Sequence, residues 1–188
     1  LVAVDTGIVI WATAYTNTIF QLDNIRWEGI DDGSTEPPMG GDDGWEIPDF
    51  TGYQSATSYD GYSQVWSDEF NGSIINTEDW GYDIGGGGWG NNELQYYTNN
   101  TANVSVADGM LRIRAQQENV GGMNYTSGRI RTVQNQFWTY GKIEARMKMP
   151  AGQGLWPAFW MLPEGGFWPG EIDIMEIVGS QPNILHGT

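Results

Sequence analysis

Three carboxylic acids stand within six residues in the run Gly170-Glu171-Ile172-Asp173-Ile174-Met175-Glu176-Ile177-Val178-Gly179. On a β-strand, side chains alternate between two faces, so Glu171 and Asp173 share one face and Ile172 and Ile174 the other. Strict alternation would then send Met175 to the acidic face and Glu176 into the core, where an unpaired carboxylate is very costly. One extra residue, a β-bulge near Ile174-Met175, removes the conflict: Glu176 returns to the acidic face and Ile177 to the core. The plain alternative is an amphipathic strand with a solvated acidic face. Acids are depleted in strands, however, and like charges on one face repel. Clustered carboxylates whose pKa values are pushed apart are what an acid/base pair needs.

A second run close by strengthens the chemical reading. Leu155-Trp156-Pro157-Ala158-Phe159-Trp160-Met161-Leu162 puts Trp156, Ala158 and Trp160 on one face of a strand. Two indoles flanking a small alanine make a flat platform suited to the apolar faces of pyranose rings. Core packing would account for one such tryptophan. With Trp89, Trp138 and Trp168 also available, a glycan cleft is the better reading.

The elements that must carry these residues are short strands. Leu111 to Ala115 alternates after a turn at Asp108-Gly109, and Lys142 to Met149 alternates for eight residues before Pro150. Leu155–Leu162 and Ile172–Val178 read as further strands, with loops at 152–154 and 163–170. Regular spacing without helical interludes predicts an antiparallel all-β sandwich. Residues 1–30 contain two further strand-like runs. Their Phe-Gln-Leu-Asp-Asn-Ile-Arg-Trp ending looks like the last strand of a carbohydrate-binding β-sandwich module, and an extension packing on the main domain is the alternative. Residues 31–60 begin with a run of acids, glycines and prolines that holds no Lys or Arg through residue 52, which reads as an extended linker. The remaining 61–188 form the main unit.

Composition narrows the partners. The 188 residues hold 24 Asp and Glu against 8 Lys and Arg, a formal charge of −16. That balance argues against nucleic acid, whose binding relies on cations that neutralise phosphates. An uncharged glycan is compatible with it. With no cysteine, disulfide scaffolds and Cys-ligated zinc are excluded. No basic leader followed by an apolar run opens the chain, and the apolar stretch 8–20 is too short and polar for a membrane span.

From about Tyr62 to Thr188 the sequence resembles family 16 glycoside hydrolases of the laminarinase-like branch. The resemblance rests on six blocks in order: Trp66–Phe70, Trp89–Thr98, Tyr125–Ile130, Tyr140–Arg146, Gly154–Pro163 and Gly170–Gly179. It implies a jelly-roll (concanavalin-like) sandwich of two curved antiparallel sheets with a cleft on the concave side. It implies retaining, endo-type hydrolysis of β-1,3-glucan by double displacement, with Glu171 as nucleophile, Glu176 as general acid/base and Asp173 as the assisting carboxylate. Asn92, Arg129, Trp156 and Trp160 match sugar-contacting positions. Asn91 is an alternative to Asn92, and Arg129 is alternatively a charge partner of the acids. His186 lies in a His-Gly-Thr run that resembles the next cleft strand, which leaves its role open. Catalysis needs no cofactor in this reading. A structural calcium on the convex side would use Glu69 and the carbonyl of Gly109.

The bulged catalytic strand is shared with agar- and carrageenan-cleaving relatives, so these stay open as alternatives. A non-catalytic β-glucan-binding module is another, although such relatives typically lose the acidic trio. The family's domain normally continues beyond the catalytic strand. The chain is therefore expected to be the N-terminal portion of a catalytic domain, cut from a longer, multimodular, secreted or cell-surface polypeptide.

Overall fold

The computed structural model describes residues 6–13, 18–28, 58–132, 136–138, 141–150, 152–163 and 170–188, the first two by their backbone. Most of the expected linker, and Trp168, lie outside the described residues. Every regular element among the described residues is a strand. In chain order these are β1 (Thr6–Thr13), β2 (Thr18–Glu28), β3 (Gln64–Asp68), β4 (Trp80–Tyr82), β5 (Gln95–Tyr97) and β6 (Val104–Ala107). There follow β7 (Met110–Ala115), β8 (Tyr125–Ser127), β9 (Arg129–Thr132), β10 (Ile143–Lys148), β11 (Trp156–Pro163) and β12 (Ile172–Glu176). Among the described residues no helix is long and apolar enough to cross a membrane.

The strands form two five-stranded antiparallel sheets, as the jelly-roll reading requires. The first has the order β12-β11-β1-β9-β4, and the second runs β10-β2-β7-β6 with β3 also paired to β2. The strands of residues 1–30 are hydrogen-bonded into both sheets: β1 lies between β11 and β9, and β2 pairs with β10, β7 and β3. A parallel two-stranded pair, β5 with β8, departs from the antiparallel expectation. Its strands can run the same way because β6 and β7, which belong to the second sheet, fill the connection between them.

Apolar side chains alternate inward from both sheets. Phe70, Trp80, Val104, Leu111, Ile113, Ile130, Phe159, Met175 and Ile177 form one buried cluster. Ile143, Ala145, Met147 and Met149 pack against it, so the alternation read along β10 is the face it turns inward. The β6–β7 hairpin closes through Asp108 and Gly109, at φ 55° and 70°. Two successive left-handed residues make the tight turn whose twist matches paired strands. Trp138, expected as a possible cleft residue, packs instead at 5.5 Å from Trp66 beside this core.

Candidate active site

The acidic run and the tryptophan run are neighbours in the first sheet. β11 and β12 pair antiparallel, with Ala158 opposite Glu176, Phe159 opposite Met175, Trp160 opposite Asp173 and Met161 opposite Ile172. The register shifts between Phe159 and Trp160, which leaves Ile174 without a partner. The bulge therefore falls where the alternation demanded it. Ile174 is half-buried against the core cluster, Met175 is 3% exposed and Ile177 is buried. Two successive residues face inward, and Glu176 emerges on the same side as Asp173. Ile172, at the strand's start, is 46% exposed rather than buried.

β12 ends at Glu176, two residues earlier than the periodicity suggests. Beyond it the Ile177 N–H donates to the Pro157 carbonyl at 3.2 Å and the Gly179 N–H to that of Leu155 at 2.7 Å. Gly179 approaches so closely that a Cβ there would collide with the carbonyl oxygens of Gly152 and Leu155. On the other side of β12, Glu176 exchanges two 2.9 Å backbone hydrogen bonds with His186, and Asp173 exchanges two with Thr188. The His-Gly-Thr run thus forms the next extended segment, as read. The His186 Nε2 is buried and has no hydrogen-bond partner.

The electrostatics shift all three acids in the same direction. Burial raises the Glu176 pKa, and the charge of Asp173 raises it further; the Trp156 indole and His186 act in the opposite direction. Glu171 is also raised, by desolvation and then by the charges of Asp173 and Glu176, while Arg129 opposes the shift. Desolvation raises Asp173. Glu176 is half-buried and Glu171 exposed. The Trp156 Nε1–H donates to the Glu176 Oε1 at 3.0 Å, a contact that the sugar-platform reading of Trp156 did not include.

Arg129, at the start of β9, lies between two indoles. Its guanidinium carbon is 4.8 Å from the Trp89 ring centroid and 5.2 Å from that of Trp160. Its Nε donates to Asp83 Oδ2 at 2.9 Å, and Arg131 Nε donates to Asp83 Oδ1 at 3.0 Å. Asp83 is thus a direct ionic partner, and Glu171 feels the charge of Arg129 as well. Trp160, expected as an open sugar platform, is only 9% exposed and carries Arg129 over its ring. It belongs to a buried cluster with Tyr97 and Ala158. Trp89 and Trp156 pack against this cluster.

The loop preceding β5 has a backbone that few residues accept. Gly87, Gly88, Trp89, Gly90 and Asn92 all have positive φ. The Asn91 and Glu93 N–H groups both donate to the Gly88 carbonyl. Asn91 turns its amide to Glu93 Oε1 at 3.4 Å, and Asn92 is exposed. Both asparagines are exposed, and Asn91 alone of the two has its side chain hydrogen-bonded to Glu93. Glu93 was missed from sequence. It is 6% exposed and its Oε2 accepts 2.6 Å bonds from Gln95 Nε2 and the Tyr97 hydroxyl. Burial raises its pKa, against hydrogen bonds from Tyr97, Asn91 and Gln95 that lower it.

For calcium, Glu69 is half-buried and Gly109 sits in the β6–β7 turn. Together they offer two of the six to eight oxygen ligands the ion takes. Among the described residues no group of three His, Cys, Asp or Glu side chains could hold a metal. A calcium shell built on these two positions would take its remaining ligands from elsewhere in the protein.

Residues 90–188 match the family model described as Glycosyl hydrolases family 16. The chain is 50% identical over 133 residues to a beta-glucanase of Rhodothermus marinus, covering 66% of this chain and 46% of that protein. It is 41% identical over 148 residues to glucan endo-1,3-beta-glucosidase A1 of Niallia circulans, covering 68% and 22% respectively. The crystal structure of the laminarinase from Rhodothermus marinus superposes with a TM-score of 0.63 at 47% identity, over 66% of this chain and 53% of that one. The chain spans about half the length, or less, of these curated relatives.

Proposed function

The chain belongs to glycosyl hydrolase family 16, and from that premise we propose that it serves to cleave internal β-1,3 linkages of glucans by double displacement. The observation that carries this reading is the bulged strand, which brings Asp173 and Glu176 to one face beside Trp156. In the first step the Glu171 carboxylate attacks the anomeric carbon. The glycosidic C–O bond breaks, and the leaving oxygen takes its proton from Glu176. In the second, water attacks the same carbon and gives its proton to Glu176, releasing Glu171. Two inversions give retention, a mechanism that wants the two carboxyls about 5–5.5 Å apart.

The environments support this division of roles. The half-buried Glu176, raised by desolvation and by Asp173, holds its proton to higher pH than an ordinary glutamate. Glu171 is raised as well, by desolvation and by its acidic neighbours against the opposing charge of Arg129, and it is its exposure to the cleft that suits it to the nucleophile's role. Asp173 then assists by the charge it places between them. Asn92, Arg129, Trp156 and Trp160 shape the sugar sites, Trp160 from beneath Arg129.

The cleft's charge favours a neutral polymer. Glu171, Asp173, Glu176 and Glu93 gather near one arginine already ion-paired to Asp83. A polymeric substrate too large to enter a cell also fits an extracellular, multimodular setting. The test is sugar release from laminarin, mixed-linkage glucan, agarose and carrageenan, with fresh products followed by proton NMR. Laminarin should be the best substrate and the β-anomer should appear first. Initial α-anomer would rule out double displacement, and preference for agarose or carrageenan would overturn the substrate assignment.

A further inference from the structure

We propose that Trp156 is a positioning residue for the working proton of Glu176, its indole N–H determining which carboxyl oxygen donates and accepts that proton. The inference rests on the assignment of Glu176 as general acid/base. The geometry is direct: Trp156 Nε1–H points at Glu176 Oε1 from 3.0 Å. An indole nitrogen donates and cannot accept, so it never competes for the proton. An oxygen that accepts this N–H is best left unprotonated, because a carboxylic O–H oxygen is the poorer acceptor. The proton is thereby held on Oε2. The same atom must then protonate the leaving oxygen and later take the proton of the attacking water.

The backbone makes the contact durable. Trp156 opens β11, and Glu176 lies opposite Ala158, two residues along the same face. The diagonal neighbour in an antiparallel pair is within reach of a long aromatic side chain. Among the described residues, the charged or titratable groups that act on Glu176 or feel its charge are Asp173 on its own strand, Glu171 just before it and His186 across the next pairing. Asp173 disfavours the ionised form, and His186 and the indole favour it. The indole is hydrogen-bonded directly to the Glu176 carboxyl.

The test is Trp156→Phe, which keeps a ring over the cleft and deletes the N–H. Glycosylation is read as kcat/KM on phenyl and 2,4-dinitrophenyl β-laminaribiosides, whose leaving groups need much and little protonation. The phenyl substrate should lose about tenfold or more, the scale of one hydrogen bond to a charged group, and the dinitrophenyl substrate about threefold at most. The basic limb of the pH profile should move to higher pH, because a donor that favoured the carboxylate is gone. Equal losses on both substrates with an unmoved limb would mean that Trp156 is only a platform, and the proposal would fail. A second measurement does not depend on that variant folding. In protein labelled with 15N-tryptophan, one indole resonance should titrate together with the basic limb and stand still in Glu176→Gln. If no indole resonance does so, the proposal is overturned. Parent protein that releases sugar from none of the four polysaccharides would refute the functional assignment instead, whereas the NMR titration reads the contact itself.

Discussion

Deleting Ile174 should give a folded protein with a misaligned active site. In the parent, Asp173 pairs with Trp160 and Met175 with Phe159, and Ile174 alone lacks a partner. Its removal lets the ladder close as a regular one, with every cleft side chain still opposite its present neighbour. The loss in stability is then mainly the half-buried side chain. Complete burial of an isoleucine contributes roughly 1.5–3 kcal/mol, so the deletion should cost about 1 kcal/mol, offset in part by the regular pairing gained. For a domain of this size that lowers Tm by roughly 2–4 °C. Activity should suffer far more, because the bulge sets the local twist between Asp173 and Glu176. A displacement of about 1 Å at a reacting group can cost roughly 100-fold. Circular dichroism, thermal melting and laminarin hydrolysis measure the three quantities. Inserting Ala between Met175 and Glu176 is the opposite perturbation, since it turns Glu176 toward Phe159 and the core. That variant should fail to fold or lose all turnover. An insertion variant as stable and active as the parent, or a deletion variant with parental kcat, would refute the register argument.

Two further outcomes follow from the electrostatics. Glu171→Gln should lower kcat by roughly 10³-fold or more, since an amide cannot form the glycosyl-enzyme. Because the Glu171 pKa is raised in the folded state, its ionisation costs stability that is lost progressively as pH rises from the ordinary glutamate pKa to the raised one. The variant should therefore melt at or above the parent's Tm at pH 7, and the difference should vanish below the ordinary glutamate pKa; a lower Tm at pH 7 would contradict this. Asp173→Asn removes a charge that raises both Glu171 and Glu176. Both limbs of the kcat/KM profile should move to lower pH, and a shift to higher pH would exclude the coupling.

The catalytic strand was legible because its pattern contained a contradiction that only a bulge resolves. Two of its acids obey a period of two, the third violates it, and the penalty for burying a carboxylate decides the matter. The surroundings of Arg129 were harder to read. Asp83 becomes a partner of Arg129 only once β4 and β9 are known to pair, across 46 residues of sequence. Opposite charges facing each other across strands are meaningful only after that register exists. Glu93, Gln95 and Tyr97 did leave a trace, three hydrogen-bonding side chains at a spacing of two. Period two shows that they share a face but cannot say whether water or protein covers it. Trp160 looked like an open platform for the same reason, because alternation does not reveal that Arg129 lies over its ring.

The site also divides by where its parts come from in the chain. Trp156, Asp173 and Glu176 belong to β11, β12 and the short connection between them, a single antiparallel pair. Trp89 and Asn92 ride on the glycine-rich loop before β5, and Arg129 arrives on β9. Bond breaking is therefore confined to one strand pair, while part of the sugar-facing surface is inherited through a separate stretch of sequence. Substitutions accumulating in residues 85–93 can alter which polymer is gripped while the proton-transfer geometry stays as it is. A lineage built this way can diversify its diet without reinventing its chemistry, and a protein engineer can exchange that loop between relatives on the same terms.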